Sequence, residues 1–238
     1  MTYPRLSPLS FVVVPLRIYR DNCRLGSATG FFYKNAKGVL FLVTNKHALL
    51  DERMHYYPNR LLFDIHTKQK NDETIDVKLI DDGGKSKWIG HPHADIAAVK
   101  MEKELSGEEA YKCFEKRNVI PDDIHLGVGE NLLVAGYPLE FYDEINNLPI
   151  IRNATIATEY GIDFRGEKLF LIDSKLHKGT SGSPIVSKFS TTYWTKDGKP
   201  IQGEERSYLV GILSGGYEEL GLNAVWYARV LEELLESL

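Results

Sequence analysis

The chain has 238 residues, of which 43% are hydrophobic and 26% are charged, and its formal net charge at pH 7 is −4. This composition is typical of a soluble globular protein with a full core, built as one large domain or two small subdomains. The slightly acidic balance argues against a nucleic-acid partner, because binding to a phosphate backbone needs clustered, excess Lys and Arg.

The N-terminal apolar run, Phe11 to Leu16, contains a proline and is soon followed by arginines. It is too short for the core of a signal peptide and for a membrane span, so no membrane association is expected. The two cysteines, Cys23 and Cys113, are fewer than a secreted disulfide framework uses. We therefore predict a cytoplasmic protein whose fold depends on packing alone.

Short β-branched and aromatic runs recur along the chain between Gly, Asn and Asp turn signals. This pattern predicts an all-β sandwich or barrel and argues against βαβ units. The runs are FVVVPLRIY, TGFFYK, VLFLVTN, LLFDIHT, DVKLI, DIAAVKM, NLLVAGY, KLFLID, GSPIVSK, YLVGILSG and NAVWYARV. The polar, Gly-containing stretches 82–87 and 195–200 are predicted to be exposed hairpin loops.

Two stretches have helical spacing of their apolar residues. The charged segment from Glu102 to Asn118, which ends shortly before a proline, predicts a connecting helix. In the tail from Ala228 to Leu238, leucines recur at i, i+3, i+4 and i+7, which predicts an amphipathic C-terminal helix. Those leucines are Leu231, Leu234, Leu235 and Leu238. The predicted organisation is a β-rich half at about residues 8–100, a connecting segment at 101–123, a second β-rich half at 124–225 and a helix at 228–238.

The stretch HKGTSGSPIV contains two serines two residues apart, Ser181 and Ser183. A serine hydroxyl is a good nucleophile only with a base within hydrogen-bond reach and a third group to orient that base. His47 is the candidate base, since it follows the apolar strand VLFLVT, although taken alone it also fits a structural histidine. Asp95 opens the apolar run IAAV, where burial requires donors such as an imidazole N–H, and a turn aspartate is the alternative.

Small residues surround the first of these serines. Gly179 and Gly182 bracket Ser181 and would let a substrate carbonyl approach backbone N–H groups. The stretch is not the G-x-S-x-G nucleophile elbow of α/β-hydrolases, because Ser183 stands where that motif needs Gly.

The sequence HPH, with His91 and His93, suggests a metal-binding pair. No Cys or further His at ligand spacing accompanies the pair. We therefore expect no metal and no cofactor.

The order His47, Asp95, Ser181, in the contexts TNKHAL, HADIAAV and GTSGSP, resembles that of the chymotrypsin-like serine peptidases. The similarity is greatest to bacterial stand-alone trypsin-like peptidase domains and to the HtrA-type protease domain. SATGFFYK and VLFLVTNKHAL resemble the first-barrel hairpin of that family, GENLLVAGYP the opening of its second barrel, and YLVGILSGG its substrate-pairing strand. The resemblance covers nearly the whole chain.

The resemblance implies a fold of two six-stranded antiparallel β-barrels, with the connecting and C-terminal helices, and a site in the cleft between the barrels. It implies that Ser181 is the nucleophile, that His47 is the general base and acid, and that Asp95 holds the imidazole tautomer. Backbone N–H groups of Gly179 and Ser181 would form the oxyanion hole. The implied function is that of a serine endopeptidase acting on protein or peptide substrates through an acyl-enzyme intermediate.

The resemblance also places the primary substrate pocket. The implied substrate-binding residues are Lys175, His177, Ser214, Gly215, Gly216 and Ala224. If Lys175 points into the pocket, it favours an acidic P1 residue, with help from His177. If its side chain reaches solvent, the usual case for Lys, the pocket is apolar.

Control of the activity differs from that of the animal digestive members. Thr180 stands where those proteins have an Asp that pairs with a newly cleaved N-terminus, so activation by processing is not expected. An unregulated peptidase in the cytosol would endanger its host, so we expect a narrow substrate range or a regulatory protein partner. Two other functions fit the same fold: a catalytically silent binding module, and an esterase or acyltransferase using the same triad.

Overall fold

The structure is a computed structural model that describes residues 7–65, 73–101 and 112–236. These ranges contain sixteen β-strands and two α-helices. The strands are β1 (Val13–Arg20), β2 (Cys23–Lys34), β3 (Leu40–Thr44), β4 (Arg60–Ile65), β5 (Glu73–Lys78), β6 (Trp88–Gly90), β7 (Ala97–Lys100), β8 (Phe114–Glu115), β9 (Asn131–Gly136), β10 (Ile150–Ile156), β11 (Leu169–Asp173), β12 (Pro184–Ser187), β13 (Ser190–Trp194), β14 (Pro200–Arg206), β15 (Leu209–Tyr217) and β16 (Leu222–Tyr227). The helices are α1 (Lys46–Leu49) and α2 (Ala228–Glu236), and 3₁₀ turns lie at Pro8–Phe11, Lys116–Asn118, Pro138–Glu140 and Glu218–Leu220.

The second half of the chain forms a closed six-stranded barrel. Its strand order is β10-β11-β16-β15-β12-β9, and every neighbouring pair is antiparallel. Ile185, Ile212 and Val225, on three of its neighbouring strands, are fully buried. One of the two predicted six-stranded barrels is therefore present.

The first half is a half-barrel, and the prediction of a second closed six-stranded barrel is wrong. Its main path runs β5-β4-β1-β2-β3-β7-β6, and β8 adds an eighth strand beside β2. In the described part of the chain the two edge strands, β5 and β6, do not pair with each other. The residues that link β5 to β6 form a turn instead, in which the N–H of Lys87 donates to the carbonyl of Leu79 at 2.9 Å.

The central strands of the half-barrel are buried on both faces. Phe31 and Val43 belong to one continuous core shared with the closed barrel, whereas Phe32 and Leu42 belong to the core of the half-barrel. Because both alternating sets are apolar, these strands appear in the sequence as continuous apolar runs rather than as alternating ones. The two halves therefore pack directly against each other at the ends of β2 and β3.

The predicted connecting helix is wrong where it can be compared with the structure. Residues 102–111 lie outside the described residues, and the rest of the segment forms β8 and a 3₁₀ turn. Phe114 pairs in register with Tyr33 of β2, and its ring packs edge-on against that of Phe31 with the centroids 5.8 Å apart. Burial of this ring against the sheet overrides the helical spacing of the segment.

The C-terminal helix is confirmed as α2, in which Leu231, Leu234 and Leu235 are buried, while Leu238 lies outside the described residues. The turn that joins β13 to β14 falls within the predicted loop 195–200, and the predicted loop 82–87 lies between β5 and β6. No helix in the three described ranges is long and apolar enough to cross a membrane.

Candidate active site

The pairing of β3 with β7 brings His47 and Asp95 together. Thr44, the last residue of β3, pairs with Ala97, the first residue of β7. His47 lies in α1, just after β3, and Asp95 lies just before β7. The side-chain Nδ2 of Asn45 donates to the backbone oxygen of Asp95 at 2.8 Å. His47 and Asp95 therefore lie next to two paired strand ends, at the same edge of the half-barrel.

The carboxylate of Asp95 accepts three hydrogen bonds. The ring Nδ1 of His47 lies 2.6 Å from Oδ2, and the backbone N–H of His47 donates to Oδ1 at 2.9 Å. The hydroxyl of Ser214, on β15 of the closed barrel, donates to Oδ2 at 2.6 Å. Because an ionised carboxylate only accepts, Nδ1 carries the imidazole proton and Nε2 is the unprotonated nitrogen of the neutral ring.

The two side chains shift each other's pKa in opposite directions. Burial acts to raise the pKa of Asp95, but the hydrogen bonds and charge of His47 and the hydroxyl of Ser214 outweigh it and hold that pKa below its ordinary value. Burial acts to lower the pKa of His47, but the hydrogen bond and charge of Asp95 outweigh it and raise that pKa above its ordinary value. Above the raised pKa, the pair consists of a carboxylate and a neutral imidazole that can accept a proton.

Ser181 lies on a tight turn between β11 and β12. The N–H of Thr180 donates to the carbonyl of His177 at 3.2 Å, and the N–H of Ser183 donates to the carbonyl of Thr180 at 3.0 Å. The N–H of Gly182 donates to the carbonyl of Leu213 at 3.0 Å, which ties the turn to β15. The turn is therefore hydrogen-bonded internally and to the barrel, rather than being a loose surface loop.

Two glycines in this turn are required by its backbone. Gly179 and Gly182 have φ values of +91° and +85°, a region that side chains with a Cβ disfavour. A Cβ at Gly179 would lie 2.5 Å from the carbonyl oxygen of Tyr137. A Cβ at Gly182 would lie 2.3 Å from the carbonyl oxygen of Thr29 and 2.5 Å from Oγ1 of Thr44.

This packing places the serine turn beside the His47–Asp95 pair. Gly182 lies against Thr44, close enough that an added Cβ would be 3.1 Å from the Cα of Thr44, and α1 with His47 follows directly. The side chains of His47 and Ser181 share no hydrogen bond in the described part of the chain. Such bonds often tighten only when substrate is bound.

The backbone N–H groups of Gly179 and Ser181 point away from the hydrogen bonds that the preceding carbonyls accept. The carbonyl of Lys178 accepts from the N–H of Leu139 at 2.7 Å, and the carbonyl of Thr180 accepts from Ser183. In a trans peptide the N–H points opposite to the carbonyl, so the N–H groups of Gly179 and Ser181 face the other way. Within the described ranges neither group donates to an acceptor. These two donors are available to a developing oxyanion.

Thr29 on β2 joins the half-barrel to the serine turn, and sequence reasoning missed it. Its N–H donates to the carbonyl of Ser181 at 2.9 Å. Its hydroxyl donates to the carbonyl of Gly179 at 2.8 Å and accepts from the N–H of Tyr137 at 3.1 Å. The only sequence signal is a small polar residue just before the apolar residues of SATGFFYK.

The predicted substrate-binding residues lie between β11 and the serine turn, on β15 and on β16. Lys175 and His177 are exposed, Gly215 and Gly216 are exposed near the end of β15, and Ala224 on β16 is half-buried. Ser214, predicted as part of the pocket wall, donates its hydroxyl to Asp95.

Among the residues that the structure describes, no group of three His, Cys, Asp or Glu side chains is placed to hold a metal ion. His91 instead contacts its own turn: its Nδ1 accepts the backbone N–H groups of His93 and Ala94.

A closed antiparallel barrel packed on a half-barrel, with His47, Asp95 and Ser181 at their junction, defines a chymotrypsin-like peptidase fold. The family model described as a trypsin-like peptidase domain matches residues 28–190, more than half of the chain. The chain belongs to this family.

Solved structures show the same fold at low sequence identity. An inactivated protease paralogue of the scabies mite is 16% identical, with a TM-score of 0.60 and coverage of 97% of this chain and 95% of that chain. The serine endoprotease of Yersinia pestis is 14% identical, with a TM-score of 0.58 and coverage of 96% and 62%. The tobacco etch virus protease, catalytically active and complexed with product, is 15% identical, with a TM-score of 0.57 and coverage of 100% and 82%. No curated protein sequence matches the chain. Active and inactivated proteins share this fold, so the fold alone does not decide activity.

Proposed function

We propose that the protein is a serine endopeptidase in which Ser181, His47 and Asp95 act as a catalytic triad. The observation that carries the proposal is the Asp95 carboxylate, which contacts Nδ1 of the neutral His47 ring, accepts the backbone N–H of His47 and is itself held by Ser214 from the closed barrel. A half-buried carboxylate with this donor set is the orienting group that an imidazole base requires. Intracellular action and control by a partner stay predictions from the sequence.

In the proposed mechanism, Nε2 of His47 takes the proton of the Ser181 hydroxyl as its oxygen bonds to the substrate carbonyl carbon. The N–H groups of Gly179 and Ser181 stabilise the resulting oxyanion. The imidazolium then gives its proton to the leaving amine as the C–N bond breaks, which leaves an acyl group on Ser181. His47 next deprotonates a water molecule, which hydrolyses the ester and restores the serine. Asp95 stabilises the imidazolium in both steps and stays ionised.

Labelling with a fluorophosphonate tests whether Ser181 is activated. We expect one adduct on the purified chain, mapped to Ser181 by mass spectrometry, and none on Ser181→Ala. Ser183→Ala is the matched control, because the side chain of Ser183 is fully buried and its hydroxyl has no partner among the described residues, so its removal should leave labelling intact. An unlabelled wild-type chain, or an adduct that persists in Ser181→Ala, would refute the proposed triad.

The side chain of Lys175 is exposed, which supports the alternative in which the primary pocket is apolar rather than cationic. We expect fluorogenic peptides with an apolar P1 residue to be cleaved faster than peptides with Glu at P1. Because exposed charges contribute about 1 kcal/mol or less, Lys175→Ala should change the ratio of the two kcat/KM values by less than about fivefold. Lys188→Ala, at another exposed lysine, is the control. A preference for Glu at P1 that is lost only in Lys175→Ala would show that the pocket is cationic.

A further inference from the structure

His91 lies at the start of the turn that carries Asp95. Its ring Nδ1 accepts the backbone N–H of Ala94 at 2.9 Å and that of His93 at 3.2 Å. Its own backbone N–H donates to the carbonyl of Ile96 at 2.9 Å, which closes the turn around Asp95. His91 is 9% exposed, so water competes little for these bonds. The imidazole is therefore a cap for this turn, in the way that an Asn or Asp side chain caps an Asx turn.

The two donors fix the protonation of the ring. A nitrogen that accepts two N–H bonds carries no proton, so the neutral ring holds its proton on Nε2. That nitrogen faces the carboxylate of Glu233 on α2, with Nε2 3.9 Å from Oε2. The Nζ of Lys168 lies 2.9 Å from each oxygen of that carboxylate, so the negative charge of Glu233 is already paired.

The other groups around His91 disfavour the positively charged form of its imidazole. Lys46 of α1 donates its Nζ to the carbonyl oxygen of His91 at 2.9 Å, and the ring of His93 packs edge-on with its centroid 6.3 Å away. Burial lowers the pKa of His91 and outweighs the opposing charge of Glu233, and the neighbouring His93, Lys168 and Lys46 lower it further. The ring is therefore neutral at pH 7 and gains a second proton only in acid.

We propose that His91 is a positioning residue for Asp95: its neutral ring caps the turn through Nδ1, and a proton taken up at Nδ1 releases the turn. Because Nε2 already carries a proton, the added proton must bind at Nδ1, where it would face two N–H donors. Both capping bonds are then lost, and Asp95 and His47 lose their fixed geometry. This inference rests on the proposed triad for its effect on catalysis, but the coupling of His91 to its turn does not depend on activity.

Nitrogen NMR of the histidine rings tests the coupling without any substrate. At pH 7 we expect the Nδ1 of His91 to show the shift of an unprotonated nitrogen. On acidification, the amide signals of His93 and Ala94 should move with the same midpoint as the His91 ring. A protonated Nδ1 at pH 7, or amide signals of His93 and Ala94 that do not change as His91 titrates, would overturn the proposal even if the protein is an active peptidase.

The pH dependence of fluorophosphonate labelling tests the effect on the site. Each inactivating proton lowers the rate about tenfold per pH unit below its pKa. Below the pKa values of both His47 and His91, the wild-type rate should therefore fall about a hundredfold per unit. His91→Asn keeps an acceptor at the Nδ1 position and cannot titrate, so it should retain the rate at neutral pH and fall only about tenfold per unit in acid. His91→Ala, without an acceptor, should be slower at every pH.

His93→Asn is the matched control, because it removes a histidine from the same turn and keeps the capped backbone N–H. Its acid limb should have the wild-type slope. Equal slopes in wild type and His91→Asn would refute the proposal. A wild-type chain that is unlabelled at every pH would instead refute the proposed triad, and the NMR titration would still decide the role of His91.

Discussion

Asp95→Asn should lower the rate of fluorophosphonate labelling and of peptide cleavage about 10⁴-fold at neutral pH. An Asn side chain can turn its NH₂ group toward Nδ1 of His47, which moves the ring proton to Nε2 and removes the base that Ser181 needs. The substitution also removes the charge and the hydrogen bond that hold the pKa of His47 above its ordinary value. The acid limb of the remaining activity should therefore move to lower pH.

Asp51→Asn is the matched control for this substitution. Asp51 also raises the pKa of His47 through its charge, but its Oδ1 accepts the backbone N–H groups of Arg53 and Met54, bonds that Asn can keep. We expect this variant to move the acid limb slightly to lower pH and to leave the rate at neutral pH within a few-fold of wild type, as for a surface charge. If Asp95→Asn stays within tenfold of wild type, Asp95 does not orient the base.

The features that the sequence predicts best are those that depend on residues close to one another along the chain. The apolar runs that contain β3, β9, β11 and β15 predict strands, because apolar and β-branched residues between turn signals suit a buried strand. β10 had no counterpart among the predicted runs, since it includes Arg152 and Asn153 and has exposed residues on one side. Local spacing also misassigned the segment around Phe114, whose burial against β2 is a long-range contact.

Long-range contacts account for what the sequence could not show in the site. The bond from Ser214 to Asp95 joins residues 119 positions apart, and Thr29 reaches Gly179 across 150 positions. Serine and threonine are common in strands and carry no sequence signal there. Only the contacts between the half-barrel and the closed barrel therefore show that Ser214 and Thr29 hold the site.

Gly182→Ala tests whether the two halves hold the serine turn in place. The added Cβ would lie 2.3 Å from the carbonyl oxygen of Thr29 and 2.5 Å from Oγ1 of Thr44, and the backbone φ of +85° is itself unfavourable for Ala. The left-handed backbone costs about 1–2 kcal/mol and the overpacking about 1–3 kcal/mol. We expect the free energy of unfolding to fall by about 2–5 kcal/mol, with Tm lowered by about 2–4 °C for each kcal/mol.

The loss of activity should exceed the loss of folded protein, because relief of the clash must move Ser181 away from β2 and β3. We expect fluorophosphonate labelling to fall at least about a hundredfold at a temperature where denaturant titration shows the variant folded, since displacement of a reacting group by about 1 Å costs this much. Gly203→Ala on exposed β14 is the matched control, because its added Cβ would meet only an Arg206 nitrogen at 3.6 Å. That variant should keep both stability and labelling. A folded Gly182→Ala chain that is labelled at the wild-type rate would show that contact with Thr29 and Thr44 does not position Ser181.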